Sequence, residues 1–256
     1  MSDLLLAVPP WVAFLVAAAV VLVAPRRVGA AVAVALTALT VPWILLAPQG
    51  TALSVAPLGF EQTLLRVDAL TQPIAAIFGL VAALSLAYAY ATDADRRTSA
   101  YALAYMGASV AAVLAGDWLT LVLAWELMAV TATVLVWHHG GDAVRPAFRY
   151  AVYHLVAGAL LIGGVVLHFA SAGTFAYSAG FTDGLPTLLA VLGVGVNLGF
   201  VGLHYWVPDT YPRPHVAASV VLAGFTTKVA VYAMLRLIPE GHATSACPSG
   251  ISRSMA

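Results

Sequence analysis

The sequence predicts an all-α fold, a polytopic bundle of about eight membrane-spanning helices with a discontinuous seventh helix. Three observations predict it. Of 256 residues, 62% are hydrophobic and only 9% are charged, whereas a soluble domain carries about 25% charged residues. The mean hydropathy is +0.96. The apolar residues also fall in runs of about 20, the length a helix needs to cross a bilayer core of about 30 Å.

The runs lie at roughly 4–24, 28–47, 70–92, 99–116, 118–137, 148–170, 186–206 and 216–237. The first is preceded by Asp3 and followed by Arg26 and Arg27, the order of a first spanning helix and not of a cleaved leader. Connections are short and polar except 47–68 and 171–184, which are long enough to lie along the membrane surface. No linker divides the chain into domains. Residues 241–256 are small and polar without periodicity and read as a disordered tail.

Arg26, Arg27, Arg96, Arg97, Arg145, Arg149 and Arg213 fall at the odd-numbered loops, and on the even side stand Arg66 and, at the C-terminal end, Arg236 and Arg253. The bias of arginine toward the inner face therefore predicts the N-terminus outside. A formal net charge of +0 gives no basic face for nucleic acid. The one cysteine, Cys247, excludes intrachain disulfides and thiolate clusters. No phosphate-binding loop, nucleophile elbow, haem-attachment motif or metal-ligand spacing is present, so no cofactor is implied.

Chemistry is expected where ionisable side chains sit at bilayer depth, because each costs at least about 2.5–3.5 kcal/mol to insert. Glu126 lies at the middle of the fifth run, too short to reach the interface. Lys228 lies at the middle of the eighth and is the only lysine among eleven basic residues. Arginine stays charged at any accessible pH, whereas a buried lysine can release its proton near neutrality. Gly224 and Tyr232, at i−4 and i+4, are expected on the face of Lys228, leaving space on one side and a hydroxyl on the other. The bland alternative is a static ion pair that fixes helix packing.

The seventh run carries Gly195, Gly199 and Gly202, then Pro208, Pro212 and Pro214, and predicts a broken helix. The competing reading is a small-residue packing face ended by prolines. His154 and His168 in the sixth run and His204 near the end of the seventh are of the residue type whose ordinary pKa suits a proton relay. His138, His139 and His215 read as loop residues, and Asp117 as interfacial.

Three segments, LVLAWELM around Glu126, LHYWVPDTY (203–211) and SVVLAGFTTKVAVYAMLRL (219–237), resemble the antiporter-like subunits shared by Mrp-type sodium/proton antiporters and the membrane arm of respiratory complex I, the D-type Mrp subunit most of all. The resemblance implies a proton pathway through Glu126 and Lys228, to which the residue types and spacing add His154, His204 and Tyr232 as candidates. It also implies a broken-helix region containing Asn197, Gly199, Pro208 and Asp209. Partners would be the other subunits of such an assembly, with protons and Na+ as the ions moved.

Three departures stand out. Asn197 occupies the place of the family's broken-helix lysine, Pro214 and His215 replace an alanine-proline pair, and the resemblance divides the chain into a three-helix region, 1–98, and one five-helix repeat, 99–240, where the family has two such repeats. The change in composition at Gly241 favours truncation. The alternatives to transport are therefore a truncated or structural assembly subunit, and, more remotely, a membrane-embedded enzyme built on the histidines.

Overall fold

The structure is a computed structural model and describes residues 8–50 and 52–237. The polar tail 241–256, with Cys247, lies outside the described residues. Nine helices are described: α1 (Pro10–Val23), α2 (Arg26–Leu46), α3 (Thr71–Ala91), α4 (Arg96–Leu114), α5 (Trp118–Trp137), α6 (Val144–Ala172), α7 (Leu185–Leu198), α8 (Trp206–Thr210) and α9 (Val216–Leu237). Five stretches are long and apolar enough to cross a membrane: α2, α3, α5, α9, and α6 with its preceding turn. The shorter α1 and α7 are apolar as well. At the centre stands α4, contacted by α1, α3, α5 and α9, with Tyr105, Met106, Ser109 and Val110 fully enclosed.

Small residues set the helix spacing. At Gly107 an added Cβ would press on Phe14 of α1, and at Gly79 on Thr40 of α2. Gly164 of α6 lies against Pro186 and Ala190 of α7, and Gly193 of α7 lies against Ala157 and Leu161 of α6. The α6–α7 pair is thereby brought backbone to backbone, the packing that small residues permit where no hydrophobic effect drives association. Side-chain caps start the central helices. Asp95 accepts from the Thr98 N–H at 2.6 Å and Asp117 from the Thr120 N–H at 2.7 Å.

The 47–68 connection holds an antiparallel hairpin, β1 (Ala52–Val55) with β2 (Gln62–Arg66), where the sequence suggested only a surface loop. It closes one end of the bundle. The Thr63 N–H donates to the Asp117 carboxylate, the Gly116 N–H donates to the Thr63 carbonyl at 2.8 Å, and the Trp118 N–H donates to the Phe175 carbonyl at 3.0 Å. Two further loops are thus sewn to the hairpin at the start of α5. Arg236 at the end of α9 reaches Asp68 at 2.6 Å and completes this closure.

Helix α7 stops for a definable reason. Gly199 adopts φ +75, the Phe200 N–H returns to the Gly195 carbonyl at 2.9 Å, and the Gly199 N–H returns to Val196 at 3.1 Å. This is the paired hydrogen bonding of a Schellman ending, and the Phe200 ring folds onto Gly195, where a Cβ would collide with it. The chain then turns through Gly202 at φ +86 and resumes as α8.

Candidate functional site

Glu126 projects from the middle of α5 toward α6, where Gly158 faces it. A Cβ on Gly158 would overlap the carboxylate, so the glycine is the space the acid occupies. Glu126 Oε1 is buried and has no hydrogen-bond partner among the described residues.

One turn away on α6, His154 is fully buried. Its Nδ1 lies 2.9 Å from the Tyr150 carbonyl, which can only accept. In the neutral ring Nδ1 therefore carries the proton and Nε2 presents a lone pair. Nε2 is unpaired among the described residues. The ring stacks on Tyr150 at 3.7 Å and meets the edge of Trp206 at 4.8 Å, so its orientation is set by aromatic walls.

The same antiparallel contact that pairs Gly164 with Pro186 and Ala190, and Gly193 with Ala157 and Leu161, carries Asn197 of α7 to the level of His154. Asn197 is fully buried, and neither its Oδ1 nor its Nδ2 has a partner among the described residues. Trp206 spans the helix break by donating from Nε1 to the Val196 carbonyl at 2.9 Å. Below it Asp209 accepts a two-pronged bond from Arg149, at 2.6 and 2.7 Å, which anchors α8 to α6. Pro208 lies within α8, between Trp206 and Asp209.

Unpaired buried polar atoms each cost about 1–3 kcal/mol. Four of them belong to Glu126, which faces Gly158 of α6, to His154 one turn along α6, and to Asn197 on α7, which packs on α6, and they supply a candidate proton-handling set of an acid, a base with a fixed tautomer and a neutral amide.

Other expected residues lie elsewhere. Lys228 lies toward the outer face of α9, and its Nζ turns back to the Ala223 carbonyl at 2.7 Å and the Thr227 hydroxyl at 3.1 Å. The face it was expected to share with Tyr232 is not shared. Tyr232 is fully buried and its hydroxyl accepts from Arg236 Nε at 3.0 Å. His204 is exposed in the break and stacks on Tyr205, away from His154. His168 is buried near the hairpin end, with Nδ1 2.8 Å from the Thr182 hydroxyl. Asp117, read as interfacial, is the buried cap of α5.

One pair escaped the sequence reading. Tyr105 of α4 and Thr226 of α9 share a buried hydrogen bond of 2.6 Å on the inner side of α9, two residues before Lys228. The repeated threonines of FTTK were its only visible sign.

The chain can now be set beside known proteins. A family model described as "NADH:quinone oxidoreductase/Mrp antiporter, TM" matches residues 115–247, just over half of the chain, including Glu126, His154 and Asn197. NAD(P)H-quinone oxidoreductase chain 4 1 of Synechococcus elongatus is 30% identical over 196 residues, covering 70% of this chain and 36% of that protein. The D-type Na(+)/H(+) antiporter subunit of Bacillus subtilis is 28% identical over 178 residues, covering 63% of this chain and 35% of that protein. In fold, the chain resembles a chain of the Mrp complex from Dietzia sp. DQ12-45-1b, with a TM-score of 0.80 at 22% identity, covering 92% of this chain and 28% of that one. The chain spans little more than a third of the length of these curated relatives. It belongs to the NADH:quinone oxidoreductase/Mrp antiporter transmembrane family.

Proposed function

We propose that this chain is the proton-handling first part of a multi-pass cell-membrane subunit that exchanges protons for a monovalent cation, Na+, within a multisubunit assembly of its family. The observation that carries the reading is that Glu126, which faces Gly158 of α6, His154 one turn along that helix, and Asn197 on the neighbouring α7 all hold unpaired buried polar atoms. No covalent chemistry is involved. The Glu126 carboxyl holds a proton in the space beside Gly158, and His154 Nε2 accepts it, leaving a carboxylate and an imidazolium that attract each other. Return or onward release of that proton completes the step.

Asn197 cannot alternate in charge. In this reading it orients the transferred proton with its carbonyl and amide, while the change of charge falls to His154. The name of the Bacillus subtilis relative supports Na+ as the exchanged ion. The arginine bias supports the N-terminus outside, the eight apolar runs support eight spans, and the family resemblance supports residues 1–98 as a three-helix region and 99–240 as a first five-helix repeat. Lys228, facing outward, serves to pass protons to whatever part of the assembly covers α9.

A second reading, a structural subunit without transport, is favoured by one observation: among the described residues the Lys228 amine bonds only to its own helix, through Ala223 and Thr227. The two separate in reconstituted vesicles holding the assembled complex. Under the transport reading Glu126→Gln abolishes cation-driven acidification while subunit composition stays intact. Unchanged acidification would leave the structural reading standing.

A further inference from the structure

At the end of the bundle opposite the hairpin, a cavity of about 420 Å³ is lined by Gly141, Asp142, Arg145, Pro146, Arg149 and Arg213. Its three guanidinium groups are not equivalent. Arg149 is matched by the two-pronged bond to Asp209. Arg145 and Arg213 have no side-chain hydrogen bond and no ion pair within 4 Å among the described residues, and Arg213 meets Asp209 only as a longer-range attraction. Asp142 is the one carboxylate in the lining. Counting Arg145, Arg149 and Arg213 against Asp142 and Asp209 leaves an excess of one positive charge.

The position of this cavity matters as much as its charge. Arg145 and Arg149 stand one turn apart at the start of α6, on its outward face. Immediately along the same face come Phe148, Val152, Leu155 and Val156, with 59%, 44%, 68% and 52% of their surface exposed. Guanidinium groups at the rim above an exposed apolar track, on a helix apolar enough to cross a membrane, reproduce the two chemistries of one amphiphile.

We propose that this cavity binds the phosphodiester of an anionic glycerophospholipid, with Arg145 and Arg213 on the phosphate oxygens and the acyl chains along Phe148, Val152, Leu155 and Val156. A single negative charge matches the excess of the lining, and planar guanidinium forks suit phosphate oxygens. Asp142 disfavours a second negative charge and leaves room for a headgroup hydroxyl. A free phosphate ion would satisfy the arginines but would leave the apolar track unused, so the lipid is the favoured source. The site is separate from the Glu126 centre and does not depend on transport.

The test is native mass spectrometry of the detergent-purified complex, titrated separately with phosphatidylglycerol, phosphatidylethanolamine, phosphatidylcholine and inorganic phosphate. Phosphatidylglycerol is expected to bind about thirtyfold more tightly than phosphatidylcholine, the factor two basic contacts at a membrane surface supply. The Arg145→Gln/Arg213→Gln double variant should lose that preference while keeping its melting temperature, because neither side chain holds the fold. Phe148→Ser should weaken the lipid alone. Equal binding of phosphatidylglycerol and phosphatidylcholine, or a preference that survives in the double variant, overturns the proposal. Displacement of bound lipid by millimolar phosphate, or equal retention of phosphatidylethanolamine, overturns the assignment to an anionic lipid.

Discussion

The carboxylate of Glu126 occupies the volume that a side chain on Gly158 would need. An acid on α5 and a missing side chain on α6 are thus two halves of one feature, and the acid's position depends on a residue that carries no chemistry of its own.

Gly158→Ala should therefore act as a site mutation. The methyl group forces either the helices or the carboxylate to move, at about 1–3 kcal/mol for overpacking a fitted interface. The expected outcome is a lower melting temperature together with proton flux reduced as far as in Glu126→Gln. Combining Gly158→Ala with Glu126→Ala should recover most of the lost stability and none of the flux. Melting curves and vesicle acidification on the single and double variants check both halves.

Gly199→Ala tests the ending of α7. An alanine held at φ +75 costs about 1–2 kcal/mol. If the Schellman turn slackens, Val196 and the indole of Trp206 move apart, so the variant should melt earlier and show a changed tryptophan emission. Gly202→Ala, at φ +86 in open space, should lower stability similarly while leaving that emission alone.

Asp117 holds three donors, from the Thr63 N–H, the Thr120 N–H and the Thr120 hydroxyl. Asp117→Ala removes a helix cap and strands a hairpin N–H, at about 2–4 kcal/mol together. Proteolysis within 52–66 should accelerate, and hydrogen exchange should rise at Thr63 and Thr120.

The Asp68–Arg236 closure predicts a pH dependence. Burial alone would raise the Asp68 pKa, but hydrogen bonds from the Thr71 N–H and Arg236, with the guanidinium charge, hold it below its usual 3.8. A depressed folded value means the contribution to stability is fully present above pH 3.8 and is lost as pH falls through the lower folded value. Melting at neutral pH should be indifferent to the titration of this pair, and Asp68→Asn should flatten the decline at stronger acidity. An equally steep decline in Asp68→Asn would refute the assignment.

Much of the fold was legible because a spanning helix declares itself by length. The fifth and eighth runs coincide with α5 and α9, and the glycines and prolines of the seventh run mark the observed break. The hairpin was not legible. Five residues of β2 inside a loop rich in proline and glycine give too short an alternation, and its placement is decided by Gly116 and Asp117, some fifty positions later.

Within the site, the depth of Glu126 was readable but its neighbour was not, since nothing local says that Gly158 faces it. The pairing of Lys228 with Tyr232 failed for a geometric reason. Four residues advance a helix by slightly more than a turn, and on α9 that rotation carries Tyr232 to Arg236 in the interior while the Lys228 amine stays outside. The free nitrogen of His154 was equally hidden, because it is fixed by a carbonyl of its own helix.

The outward amine of Lys228 has a practical consequence. It is the sole ε-amino group in 256 residues, and it emerges from an otherwise apolar strip formed by Val220, Val231 and Leu235. An amine-directed crosslinker delivered from the bilayer phase would thus attach within the helices at one address. The identity of the adduct would name the neighbour shielding that flank, without any engineered handle.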